Sequence, residues 1–269
     1  MSELPGQSAR RAPQPESGSE PSCAVLVMSC DAYRDLWTPF FNLFRSNWPD
    51  CPFPVFLGTN FATFDAPCVT TLKGGELEWS GRLRNCLERT DREYVLLLLE
   101  DFFLDSPVLT GKILSNLRAL HELDGVVLRL CPRPGPTAAL PSHAEIGMLE
   151  RFAPYRVSTQ AALWKRTALL SLLQDAESIW QFEWNGTARS EAMFDGFYCS
   201  YHPVLRYRHV VERGQWFRSE AGYFSRQEIG CDFSARSVMS PQRAMKKTVN
   251  RWRKNLLNLV LPLRLQVRT

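Results

Sequence analysis

Six apolar residues, Tyr94-Val-Leu-Leu-Leu-Leu99, run without a break into Glu100 and Asp101. A run this short and this apolar reads as a strand covered on both faces. Such a strand needs a layer on each side of its sheet, and the chain supplies the material. CAVLVMSC at 23–30 is a second apolar strand. Residues 33–47 read as a helix, with Trp37, Phe40, Phe41 and Phe44 along one side. Pro49, Pro52 and Pro54 mark a turn, followed by strands over 54–60 and 69–72. Helices follow from Trp79 to Arg89 and over 108–123, the latter capped by Thr110, and a strand over 125–130. This alternation predicts an α/β fold with a mixed, mostly parallel sheet and helices on both faces. After residue 131 the pattern changes to a long Pro-rich stretch, CPRPGPTAALPSHAEIG, of the kind that is functional or mobile. Beyond it we expect a strand over 156–163, helices over 166–174 and near 187–194, and a strand region at 203–211 leading into the turn at 214–216.

Composition excludes several classes. With 269 residues, 45% hydrophobic and 22% charged, the chain is neither collagenous nor wholly disordered, and it can bury a large core without staples. No stretch reaches the length of a membrane-spanning helix. No apolar leader of export type opens the chain, so a cytoplasmic location is expected. The eight cysteines form no CxxC pair and the four histidines no HExxH, so the cysteines read as free thiols. Residues 1–22, rich in Pro, Ser, Gly and Glu, are expected to be a disordered leader.

The net charge of +4 hides an asymmetry. No acidic residue follows Asp232, and nine cations do, which leaves 23 basic against 28 acidic residues in the first 232. Within this basic tail, Met245, Val249, Trp252, Leu256, Leu259 and Leu263 recur at steps of three and four, one face of an amphipathic helix that Pro262 interrupts. An apolar face with a Trp and basic flanks suits an anionic membrane surface, reached through 241–269. The same face would also pack on the chain's own domain. No basic patch with interleaved aromatics points to nucleic acid. The expected division is therefore a leader at 1–22, a domain at 23–235 in two halves (23–131 and 132–235), and a basic tail at 236–269.

Chemistry concentrates at Glu100 and Asp101. In open α/β sheets, ligands bind just beyond the carboxyl ends of the strands. Two adjacent carboxylates repel one another and call for a cation. Mg²⁺ and Mn²⁺ are often held by one or two carboxylates together with substrate phosphates. A plain acidic turn is the simpler alternative.

The order of strand and SCDAY, strand and GTN, helix EWSGRLRNCL, then apolar strand and EDF resembles that of bacterial glycosyltransferases of the GT-A fold, including enzymes of surface-polysaccharide clusters. The resemblance implies a single Rossmann-like domain and an Asp-x-Asp metal motif at this point. Here the matching triplet is Leu99-Glu100-Asp101, so the first carboxylate is missing or displaced. It also implies a nucleotide-sugar donor held with Mn²⁺ or Mg²⁺ by Asp101 and Glu100. Ser29, Asp31, Thr59 and Asn60 would face the nucleoside, and Trp79, Ser80 and Arg82 the base or phosphates. Each has a plainer role: Asp31 as a helix cap, Asn60 as a turn residue, Trp79 as a core anchor.

A second constellation is SIWQFEWNG at 178–186. Glu183, set among Trp180, Phe182 and Trp184, is expected to have a raised pKa and to serve as general base, with Asp195 in reserve. Aromatic faces also stack on sugar rings. In the third, 201–216, His209 would complete the metal site, and Arg213 and Trp216 the diphosphate site; His202 lies nearby. Arg129 to Arg133 and Gln160 would border the acceptor, a glycan or lipid-linked hydroxyl. The expected activity is metal-dependent sugar transfer with inversion, in cell-surface polysaccharide synthesis, by an enzyme peripheral on the inner face of the cell membrane. A nucleotidyltransferase and a non-catalytic membrane-associated module are the alternatives. MSCDAYRD, which lacks glycine, speaks against the first of these.

Overall fold

A computed structural model describes residues 20–243. β1 (Cys23–Met28) and β4 (Tyr94–Leu99) are buried at every position, as strands covered on both faces must be. They pair in parallel, Cys23 opposite Tyr94 through to Met28 opposite Leu99. β2 (Val55–Thr59) and β3 (Val69–Lys73) extend the parallel set on the other side of β1. The remaining strands of the main sheet are β6 (Val127–Arg129), β7 (Ala138–Ala139), β8 (Ile146–Met148), β9 (Ala162–Lys165) and β10 (Phe197–Ser200). Among the described residues the order is β3-β2-β1-β4-β9-β6-β10-β8-β7. Only β8 and β9 run against the others, so the sheet is mixed and mostly parallel in direction, as expected.

The first half follows its sequence pattern closely. A 3₁₀ segment, Asp31–Leu36, leads into α1 (Trp37–Asn47), which buries Trp37, Phe40, Phe41 and Phe44. Each such aromatic contributes about 2–3 kcal/mol by leaving water. α2 (Trp79–Glu88) and α3 (Thr110–Glu122) fall where expected. Thr110 is not the cap of α3. It is the first helical residue, and its Oγ1 accepts from Trp48 Nε1 at 2.8 Å instead.

The second half departs from the pattern. The strand expected over 156–163 forms only from Ala162, because the buried polar segment Arg156, Ser158 and Thr159 bonds side chains rather than a ladder. After α4 (Arg166–Leu172) comes α5 (Ile179–Ser190), so SIWQFEWNG is helical and the helix expected near 187–194 begins two turns earlier. Ser178 and Gln181 form a capping box at its start. The Pro-rich stretch contributes β7 and β8 to the sheet edge. β5 (Phe102–Leu104) leaves the main sheet to pair with β11 (Tyr207–His209). A small hairpin, β12 (Val211–Glu212) and β13 (Gln215–Trp216), and α6 (Arg218–Phe224) follow.

At the margins, Ser22 Oγ accepts from the Glu93 amide at 3.0 Å, and Glu20 pairs with Arg118 at 2.9 Å. Arg236 pairs with Asp35, and Met239 is fully buried, so the packed fold continues past residue 235. The rest of the expected leader and the amphipathic helix over 245–263 lie outside the described residues. No helix among the described residues is long and apolar enough to cross a membrane.

Candidate active site

A cleft of about 620 Å³ opens beyond the carboxyl ends of β1 and β4. Strand geometry delivers its floor: β1 hands over Ser29 and Cys30, and β4 hands over Glu100 and Asp101. The start of α2 adds Trp79 and Arg82. On α5, Trp180, Glu183 and Trp184 sit at i, i+3 and i+4 and so share the face that lines the cleft. The loop before β9 supplies Tyr155, Thr159 and Gln160, and the chain from β11 onward supplies His209 and Arg213.

The carboxylate pair is enclosed, Glu100 being 7% and Asp101 9% exposed. Burial, and then the charge of Asp101, push the Glu100 carboxyl well above its ordinary range. Asp101 Oδ2 lies 2.9 Å from His209 Nε2. Its Oδ1 is buried and has no hydrogen-bond partner among the described residues. An orphaned buried acceptor costs about 1–3 kcal/mol, more when charged, so it marks a place built for something else. Among the described residues no three His, Cys, Asp or Glu side chains gather as a closed metal cage. The Asp101 carboxylate, with its orphaned Oδ1, is a donor of the type that holds a hard dication together with substrate oxygens.

Two cations flank this acidic floor. Arg82 Nη1 donates to the Leu77 carbonyl at 2.6 Å, while its Nε is buried with no partner among the described residues. Arg213 forms the two-residue turn of the β12–β13 hairpin with Gly214, at φ of +49° and +75°. A turn of this type needs positive φ at both positions; glycine takes it freely, and arginine at a cost of about 1 kcal/mol. The Gly214 amide donates to Tyr33 Oη at 2.9 Å, which ties the hairpin to the segment after β1. The Arg213 guanidinium lies over the Trp180 ring, 5.5 Å from its centroid.

Several expected residues work underneath the cleft rather than in it. Asp31 does not cap the first helix: its carboxylate accepts the amides of Asn60, Phe61 and Ala62 at 3.0–3.1 Å. Asn60 Oδ1 returns a bond to the Asp31 amide, and buried Thr59 bonds the Ala62 carbonyl. Together they lock the exits of β1 and β2. Ser80 is fully buried, and its amide donates to the Glu177 carbonyl at 3.0 Å. Ser29 lines the cleft and also accepts from Trp37 Nε1 at 2.7 Å. Trp79 does both jobs at once, lining the cleft and packing on Phe182 with ring centroids 5.4 Å apart.

Glu183 is in the cleft, but no aromatic cage surrounds it. Phe182 turns into the core, and Trp184 is 70% exposed. Instead Glu183 Oε1 accepts from the Thr159 amide at 2.7 Å and the Thr159 hydroxyl at 2.8 Å. Asp195 is exposed and lies outside the cleft lining, as does His202. Trp216 is fully buried against Phe103 and Phe233, a core residue and not part of a phosphate site. Arg129 is a loop clamp, donating to the Pro134 and Tyr155 carbonyls, while Arg133 lines a separate cavity of about 240 Å³. Gln160 lines the cleft and accepts at 2.5 Å from the hydroxyl of Tyr207, which lines the second cavity. Tyr33, Tyr155 and Thr159 were not foreseen, because no periodicity marks a loop side chain.

No family model and no curated protein matches the sequence. Among solved structures, the chain is similar to the mannosyltransferase PcManGT from Pyrobaculum calidifontis in complex with GDP-Man and Mn²⁺. The identity is 16%, over 77% of this chain and 62% of that one, with a TM-score of 0.50. It is also similar to S. aureus TarS 1–349 in complex with UDP, at 13% identity, 69% of this chain, 59% of that one and a TM-score of 0.46. A slighter likeness is to the bifunctional IspDF from Campylobacter jejuni, at 14% identity, 62% of this chain, 47% of that one and a TM-score of 0.37. The chain spans about 60% of the length of the two glycosyltransferases. The fold is thus the mixed α/β, GT-A-like fold of glycosyltransferases.

Proposed function

We propose that this protein transfers a sugar from a nucleotide-sugar donor to a hydroxyl of a glycan or lipid-linked acceptor, with inversion, in cell-surface polysaccharide synthesis. The observation that carries the reading is Asp101 in the cleft lining, its buried Oδ1 without a partner among the described residues, with Arg82 and Arg213 in the same lining. A diphosphate would suit both sets at once: the two guanidinia would donate to its oxygens, and the carboxylate would hold a dication that offsets its charge.

Asp101, with Glu100 and His209 beside it, would hold Mn²⁺ or Mg²⁺, which when bound supplies charge neutralisation at the diphosphate. Arg82 and Arg213 orient the two phosphates and stabilise the negative charge that gathers there. The acceptor hydroxyl oxygen forms a bond to the anomeric carbon as the bond from that carbon to the phosphate oxygen breaks. The electron pair leaves on the nucleoside diphosphate, and the hydroxyl proton passes to Glu183. Thr159 occupies Oε1 of that carboxylate, which fixes its direction and leaves the other oxygen for the proton.

A thermal-shift titration of the whole chain tests the reading. UDP or GDP should stabilise the protein only when Mn²⁺ or Mg²⁺ is present. No response to any nucleotide, with or without metal, would remove the transferase and favour a non-catalytic module. The basic segment 241–269 would keep the enzyme beside an anionic membrane surface. A chain ending at residue 243 should then no longer co-sediment with anionic vesicles; undiminished sedimentation would end the membrane role.

A further inference from the structure

We infer that Tyr155 and Trp184 form a stacking platform for a sugar ring, a carbohydrate subsite at the acceptor end of the cleft. The inference rests on the transferase reading for the word acceptor, but on geometry for the platform. Both side chains line the cleft, and both leave much of their apolar surface in water, Tyr155 at 40% and Trp184 at 70% exposed. Large exposed aromatics in a concave site contribute little to folding and mark a surface that meets a ligand. Trp180, one helical turn before Trp184, differs in having the Arg213 guanidinium over its ring.

The loop holding Tyr155 is fastened from beneath. Its backbone takes φ of +55°, a conformation aromatic residues rarely adopt. Buried Arg129 donates to the Tyr155 carbonyl at 2.5 Å. Buried Arg156, the next residue, donates to the carbonyls of Leu149, Ser190, Met193 and Phe194. Two buried guanidinia therefore fasten the backbone at Tyr155 and at the residue after it.

The chemistry beside the rings selects the ligand. A pyranose presents an apolar C–H face bordered by hydroxyls. Tyr155 and Trp184 offer flat apolar faces, and Glu183 and Gln160 offer hydrogen-bonding groups in the same cleft. Trp184 and Glu183 line the same cleft, so a sugar stacked on the ring would share that cleft with the proposed base. A nucleobase also stacks on aromatic faces and can donate its N–H groups to a carboxylate, so the nucleotide arm of the experiment separates it from a sugar.

The experiment uses the full chain with Trp184→Ala, Trp184→Phe and Tyr155→Asn. Asparagine tolerates the left-handed backbone, so the last change removes the ring without adding strain. Binding is read on an array of defined neutral and amino-sugar oligosaccharides, with and without UDP or GDP and Mn²⁺. Hits are titrated by tryptophan fluorescence, and nucleotide binding is followed separately by thermal shift. Wild type should bind at least one oligosaccharide. Trp184→Ala and Tyr155→Asn should each weaken that binding at least about tenfold, Trp184→Phe should retain most of it, and the nucleotide shift should be the same in all four proteins. The platform is overturned if no oligosaccharide binds under any condition, if glycan affinity survives both ring deletions, or if the deletions abolish the nucleotide shift instead. Glycan binding without any nucleotide response in wild type would keep the platform and sink the transferase.

Discussion

Two of the places where the described residues bury charge are treated in opposite ways. At the end of β4, Glu100 and Asp101 are enclosed, and one Asp101 oxygen has no partner among the described residues. Farther along the chain, Arg129 and Arg156 are 2% and 1% exposed, and their guanidinia are spent on backbone carbonyls, most of them in irregular segments. Loops lack a ladder, so their buried carbonyls need donors, and one guanidinium can serve several. A buried charge saturated by its own backbone is scaffold. The open carboxylate at the end of β4 is what the proposed function rests on.

That contrast can be broken or sharpened by substitution. The largest effect should come from Glu183→Gln, which removes the proposed base but keeps an acceptor for Thr159. Transfer should fall about a thousandfold with the nucleotide thermal shift intact. Full activity would assign the proton elsewhere. Asp101→Ala should lower transfer by several hundredfold, in the range of about 10²–10³ for loss of one electrostatic element. It should also abolish the metal-dependent nucleotide shift without lowering stability in the absence of ligand; unchanged nucleotide binding would remove the metal site.

Arg156→Met should do the reverse. It strands four buried carbonyls and should cost about 3 kcal/mol in urea denaturation, with donor affinity little changed in the folded fraction. A loss below about 1 kcal/mol would show that the loops hold without their clamp.

The smallest effect concerns Glu177, which accepts from Arg189 at 2.6 and 2.7 Å. These bonds hold its carboxyl below the ordinary value of 4.5, against the opposing pull of burial. A depressed folded value means the stabilisation is present above about 4.5 and is lost as the pH falls through the folded value. Glu177→Gln should cost about 1.5 kcal/mol near neutrality and flatten the acid limb of stability against pH. An unchanged acid limb would deny the pair its role.

The two halves also differed in how readable they were. β1, β4, α1, α2 and α3 follow from apolar runs and spacing, because a regular element repeats its contacts every two or every three to four residues. In the second half, Ser178 and Gln181 carry the start signal of α5, a capping box three residues apart. The late start of the strand expected over 156–163 is not legible in the sequence, because Arg156 bonds as far as Phe194, 38 positions away, and Thr159 bonds Glu183, 24 positions away. Asp31 and Thr59 were read as pocket residues. Their position at strand ends was right, but their side chains turn to the backbone of the Asn60–Ala62 loop.

The sequence alone determined the sheet's apolar centre and the delivery of Glu100 and Asp101 to a strand end, since burial and chain direction are local properties of an apolar run. Tertiary structure alone decided which polar groups stay unsatisfied. It brought His209 to Asp101 across 108 positions, turned Arg213 into the cleft on a strained hairpin, and set Tyr155 beside α5. Those outcomes depend on which distant carbonyls and hydroxyls arrive as partners, and no periodicity in one dimension records that meeting.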